Sequence, residues 1–74
     1  MKTWKPATLL TVQYWDHYGD SEGDISGALL TVTGYYVATI KHKHPLLKLS
    51  MHKDLSWPFM LILTSAIEKV KEIG

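Results

Sequence analysis

The sequence predicts an α+β fold: an antiparallel sheet of three or four strands with one C-terminal helix packed on one face, in the order β-β-β-α. Three observations predict it. "ATLLTVQYWDHY" (Ala7 to Tyr18) and "ALLTVTGYYVATIKHK" (Ala28 to Lys43) are rich in β-branched and aromatic residues, as strands are. "LLKLSMHK" (Leu46 to Lys53) follows a turn at Pro45 and puts Leu47, Leu49 and Met51 on one face. The last segment, "KDLSWPFMLILTSAIEKVKEIG", spaces its apolar residues as a helix does.

In the first strand the even positions, Leu10, Val12 and Tyr14, are apolar, while Thr11, Gln13 and Trp15 are mixed. "GDSEGDISG" (Gly19 to Gly27) reads as a loop, with glycines, serines and acids together. The second strand is long, and Gly34 in its middle marks a bulge or bend. A bent strand is preferred to a turn at Thr33-Gly34, because Leu30, Val32, Tyr36, Ala38 and Ile40 stay apolar across the glycine. In the C-terminal helix Ser56 is the cap, Pro58 suits the first turn and Gly74 ends it. Phe59, Leu63, Ala66, Val70 and Ile73 form the stripe that covers the sheet. Leu49 and Val70 are expected in the core, facing each other.

The 74 residues make one small domain, 1–74. A chain of this length buries only about 60% of the surface its unfolded form exposes, so a partner subunit would help it. With no cysteine, disulfides and thiolate metal sites are excluded, which fits a reducing cytoplasm. The N-terminus is too polar for a signal peptide, and "FMLIL" (Phe59 to Leu63) is too short to span a bilayer. The expectation is a soluble, cytoplasmic protein with no membrane association. The net charge is only +1, yet Asp16, Asp20, Glu22 and Asp24 cluster early and Lys41, Lys43, Lys48 and Lys53 cluster later. There is no arginine, the preferred residue for bidentate contacts to phosphate and guanine.

Sites of chemistry are sparse. Asp20, Glu22 and Asp24 have the spacing that opens a calcium loop, but Ile25 and Thr31 stand where glycine and glutamate are needed. His42 and His44 are spaced to project from one side of a strand, but a zinc site needs a third ligand. With Ile40 paired to Leu49 across Pro45, His52 lies about 16 Å from His42, too far for one metal. No nucleophile elbow and no phosphate-cradling glycine loop is present. The chain therefore reads as a non-enzyme with no metal and no cofactor.

The stretch "IKHKHPLLKLSMHK" (Ile40 to Lys53) holds four lysines and three histidines and not one acid. The same register places Lys41 directly across from Lys48, where like charges destabilise a sheet. It gives an outer face of Lys41, Lys43, Lys48 and His52 that continues into Tyr35, Val37 and Trp15. Edge lysines also guard sheets against aggregation. As a binding face, these seven residues suit the acidic surface of a protein partner or, second, a nucleic-acid backbone. The leading expectation is a small protein that binds another protein, as an inhibitor or adaptor. In size and composition the chain resembles small phage-encoded inhibitors of host defence or host enzymes. The β-β-β-α order resembles the later part of double-stranded-RNA-binding domains, without their first helix or the basic run of their last. The first turns of the predicted helix are apolar nearly all round, which points to a homodimer with Trp57, Met60 and Leu61 at its interface.

Overall fold

The computed structural model describes residues 3–19 and 25–74. The acids at 20, 22 and 24 lie outside the described residues, as does the side chain of His17. Five strands follow one another: β1 (Leu9–Gly19), β2 (Ile25–Ile40), β3 (Leu46–Ser50), β4 (Phe59–Leu63) and β5 (Ile67–Glu72). A short 3-10 turn, Thr64–Ala66, separates the last two. They form one sheet in the order β4-β3-β2-β1-β5, with every neighbouring pair antiparallel.

The predicted α+β class is thus wrong, since the described residues contain no α-helix and the segment read as one supplies β4 and β5. The cause lies in "FMLIL". A short apolar run bounded by Pro58 and Thr64-Ser65 satisfies helix and strand templates equally, and its length favours a strand. The helical stripe is dispersed accordingly. Phe59, Leu63 and Ile73 are exposed, and Ile62, off that stripe, is the buried residue of β4.

The first three strands exist as the alternation predicts but with shifted ends: β2 runs Ile25–Ile40, and β3 stops at Ser50, so Met51 lies exposed beyond it rather than on the inward face. Leu10 and Val12 point inward from β1, and Leu47 and Leu49 from β3. β2 lies between those strands, yet the four leucine and valine side chains share one buried cluster with Tyr36 and Ile62. Contact across an intervening strand requires the sheet to curl over its inner face. Burying each such side chain is worth about 1.5–3 kcal/mol. Trp4 caps the cluster edge-to-face on Tyr36, with ring centroids 5.4 Å apart. Val70 packs against the same core, but from β5 rather than from a helix.

β2 runs unbroken through Gly34, as a bent strand should. The bulge is elsewhere: the β2–β3 register shifts between Tyr36 and Ala38, leaving Val37 without an opposite residue. Gly34 answers a different need. A Cβ there would meet Ser50 O and Leu49 Cβ at 3.1 Å and Met51 Cε at 3.0 Å, so a side chain at this position would have to push β3 and Met51 away by a few tenths of an ångström.

The register across Pro45 also differs from the expected one. Ile40 pairs with Leu46, Thr39 with Leu47 and Ala38 with Lys48. A five-residue connection, 41–45, replaces the tight turn. Lys41 therefore does not oppose Lys48, and the expected like-charge pair does not form.

Candidate protein-binding edge

Two strands have a neighbour on one side only. β5 is guarded by charge, with Glu68, Lys69, Lys71 and Glu72 among its six residues. β4 is "FMLIL", without a charge or a hydroxyl.

The pairing of β4 with β3 sets which way each β4 residue points. Ile62 lies opposite Leu47 and Met60 opposite Leu49, and both turn toward the core. The pleat then sends Phe59, Leu61 and Leu63 to the outer face. All three are exposed, Leu61 by 54%. Trp57, just before the strand, is 78% exposed.

The main chain follows the same alternation. The Met51 N–H donates to the Pro58 carbonyl at 3.1 Å, and the Thr64 N–H donates to the Pro45 carbonyl at 2.9 Å. In an antiparallel ladder, every second residue directs its polar groups to a given neighbour. Pro58, Met60, Ile62 and Thr64 face β3. Phe59, Leu61 and Leu63 therefore direct their N–H and C=O groups away from the sheet, with no partner among the described residues. The same three residues thus carry both the exposed apolar side chains and the unpaired backbone.

The start of this edge is held by the connection 51–58. The Ser50 hydroxyl, fully buried, donates to the Ser56 carbonyl at 2.5 Å and accepts the His52 N–H at 3.1 Å. Asp54 accepts from the Ser56 hydroxyl at 2.6 Å and from its N–H at 3.1 Å. These bonds, the hydroxyl's first, hold the Asp54 carboxyl below its ordinary pKa. They fix the turn that delivers Trp57 to the edge.

Beside the edge, Lys48 stretches over the Phe59 ring, with Nζ 4.1 Å from its centroid. A cation over an aromatic face at an exposed site is worth about 0.5–1 kcal/mol. Pro45, at the end of the connection 41–45 that carries the exposed Lys41 and Lys43, is tied to the other end of β4. On the β1 side, a groove of about 280 Å³ opens between Leu61–Leu63 and Tyr14, Trp15 and Asp16, with Ala66 at its end.

The seven residues expected to form one binding face do not all meet. Lys48 alone lies against β4. Lys41 and Lys43 sit beyond one end of β3 and His52 beyond the other, about 16 Å apart along a five-residue strand. Tyr35 lies between Leu9 and Ser50, half-buried, and Val37 is the bulge residue. Trp15 is at the far part of β1, opposite Leu29, and its indole N–H donates to Glu68 at 3.2 Å. It reaches the β4 region only through the groove wall. Of the three residues expected at a dimer interface, Trp57 and Leu61 are exposed at the edge, whereas Met60 turns inward. Phe59 and Leu63 were assigned to the core stripe. The run Phe59–Leu63 is apolar at every position, so no alternation marks their true place; its short length between Pro58 and Thr64 is the one strand signal.

No three His, Cys, Asp or Glu side chains come together among the described residues, and none of their helices is long and apolar enough to cross a membrane. No protein-family model, no characterised protein and no solved structure matches the chain.

Proposed function

We propose that this chain is a small non-enzymatic protein that works by binding another protein, with β4 as the docking edge. One observation carries the reading: Phe59, Leu61 and Leu63 present apolar side chains and unpaired backbone groups together, beside the exposed Trp57. Extended segments dock on such edges by adding a strand, the main chain giving affinity and alternate side chains giving specificity. Lys48, over the Phe59 ring beside the apolar strip, favours a partner with an acidic residue flanking its docking segment. An inhibitor or adaptor role follows from binding without chemistry. The work is placed in the cytoplasm, in keeping with a chain that has no cysteine.

The test compares the parent with Leu61→Lys as bait in extract from the source cells, with and without nuclease. A protein captured by the parent, lost with Leu61→Lys and indifferent to nuclease supports the reading. Capture that survives Leu61→Lys excludes β4 as the docking edge.

A second reading has its own observation. On the outer face of β5, β1 and β2, Lys69 and Lys71 line a shallow groove with Thr11, Gln13 and Thr31. These donors suit a phosphate backbone. Nucleic-acid binding there would fall by roughly 0.7–0.9 log units per phosphate contact for each decade of salt. Capture abolished by nuclease would favour this face over β4.

A further inference from the structure

We propose that, when no partner strand is present, β4 pairs antiparallel with β4 of a second copy, joining two sheets into one across a two-fold axis through Leu61. The inference rests on β4 being the docking edge and names what occupies it in the free protein.

The argument is one of register. A two-fold pairing is self-complementary, so each contact occurs twice. The residues that direct polar groups to the open side are Phe59, Leu61 and Leu63. Centring the pair on Leu61 sets Phe59 opposite Leu63 of the partner subunit and Leu61 opposite Leu61 of the partner subunit. Every one of these positions is then a hydrogen-bonded pair, in which each residue uses both its N–H and its C=O. A slip by one residue would set these groups against residues whose groups already bond β3. A slip by two would leave an end residue unpaired. The register that satisfies the most backbone is the symmetric one.

Side chains agree with it. At that register the outer face of the seam carries only phenylalanine and leucine, each against an apolar counterpart. Aromatic and aliphatic cross-strand pairs of this kind are favourable. No charge lies on the seam. The nearest cation, Lys48 opposite Leu61, is one strand back. Three inter-strand spacings would separate it from its copy, about 14 Å, and repulsion at that range is largely screened at physiological salt. β5 cannot take the same part, because its charges interrupt every possible seam. Pairing would also cover the exposed strip of a chain whose own core is small. The second copy is then the competitor that an incoming partner strand displaces.

Three variants test this. Sedimentation over a wide micromolar range should give twice the 8.4 kDa chain mass for the parent. Leu61→Lys, which sets two cations face to face on the axis, should sediment as the single chain at the same concentrations. Leu61→Pro removes an N–H that points away from β3, so it should also give the single chain with the strand spectrum retained. Met60→Leu changes an inward side chain and should leave the double mass. A parent that sediments at 8.4 kDa throughout overturns the pairing but not the docking of other proteins at β4. A double mass that survives both Leu61 variants overturns the pairing too, by placing the interface elsewhere. If the double mass is lost but capture of other proteins is not, the pairing stands and the proposed docking edge falls.

Discussion

β4 and β5 occupy equivalent positions, each the last strand on its side of one sheet, yet they meet solvent in opposite ways. β5 carries two lysines and two glutamates among six residues. β4 carries none among five. An unpaired strand offers a row of donors and acceptors to any other chain, and natural sheets blunt such edges with charge. β5 is blunted and β4 is not. The contrast separates two requirements that are easily confused. Inward residues decide whether a strand joins the sheet, and Ile62 and Val70 serve both edges in this way. Outward residues decide what the strand does next, and there β4 is wholly apolar whereas β5 carries Lys69 and Lys71.

Removing the inward anchors should produce the largest effects. Ile62 is buried, so Ile62→Ala should cost about 2–5 kcal/mol in chemical denaturation. Val70 is only half-buried, and Val70→Ala should cost distinctly less. Equal losses would mean that the two strands are held alike and that the comparison begins at the core. Next comes Gly34→Ala, which forces a methyl against Ser50 O and Leu49 Cβ on the strand that supports β4. Overpacking of this kind costs about 1–3 kcal/mol. A variant as stable as the parent would contradict the close approach of β2 and β3.

A third prediction converts one edge into the other. Lys69→Leu together with Lys71→Leu should give β5 an apolar outer row, and light scattering should then report association that Leu61→Lys does not reverse. Unchanged scattering would show that charge is not what guards β5. The smallest effect concerns the turn before β4. The Asp54 carboxyl is held below its ordinary pKa by the Ser56 hydroxyl and N–H. A lowered folded-state pKa contributes stability above the unfolded value, and that contribution is lost as pH falls through the folded one. Asp54→Asn should therefore trail the parent slightly in melting temperature at neutral pH and converge with it once the pH has fallen through the lowered pKa of the folded carboxyl. A constant gap across that range would remove the charge from the explanation.

Much of the sheet was legible in the sequence. Leu10, Val12, Leu47 and Leu49 repeat every second residue, and that period alone placed β1 and β3 and their buried faces. The continuity of β2 through Gly34 was legible for the same reason. Two features were not. The C-terminal residues at 59, 63, 66, 70 and 73 fall by coincidence on a helical stripe, and a five-residue apolar run has too few residues to tell one period from the other. The register at Pro45 depends on loop length, and a connection of five residues instead of two moved every cross-strand partner of Lys48. That single shift dissolved the expected lysine face. The candidate edge was hidden by the first error, since a helical reading gives Trp57, Met60 and Leu61 to a dimer interface but sends Phe59 and Leu63 to the core.

Residue-resolved amide exchange at two protein concentrations tests the central claim most directly. In β4, the amides of Met60 and Ile62 bond to β3 and should be protected at both concentrations. Those of Phe59, Leu61 and Leu63 should exchange fast when dilute and become protected when concentrated, all three together. Protection of all five amides at every concentration, or fast exchange of the outward three even at high concentration, would contradict an open edge that closes by strand pairing.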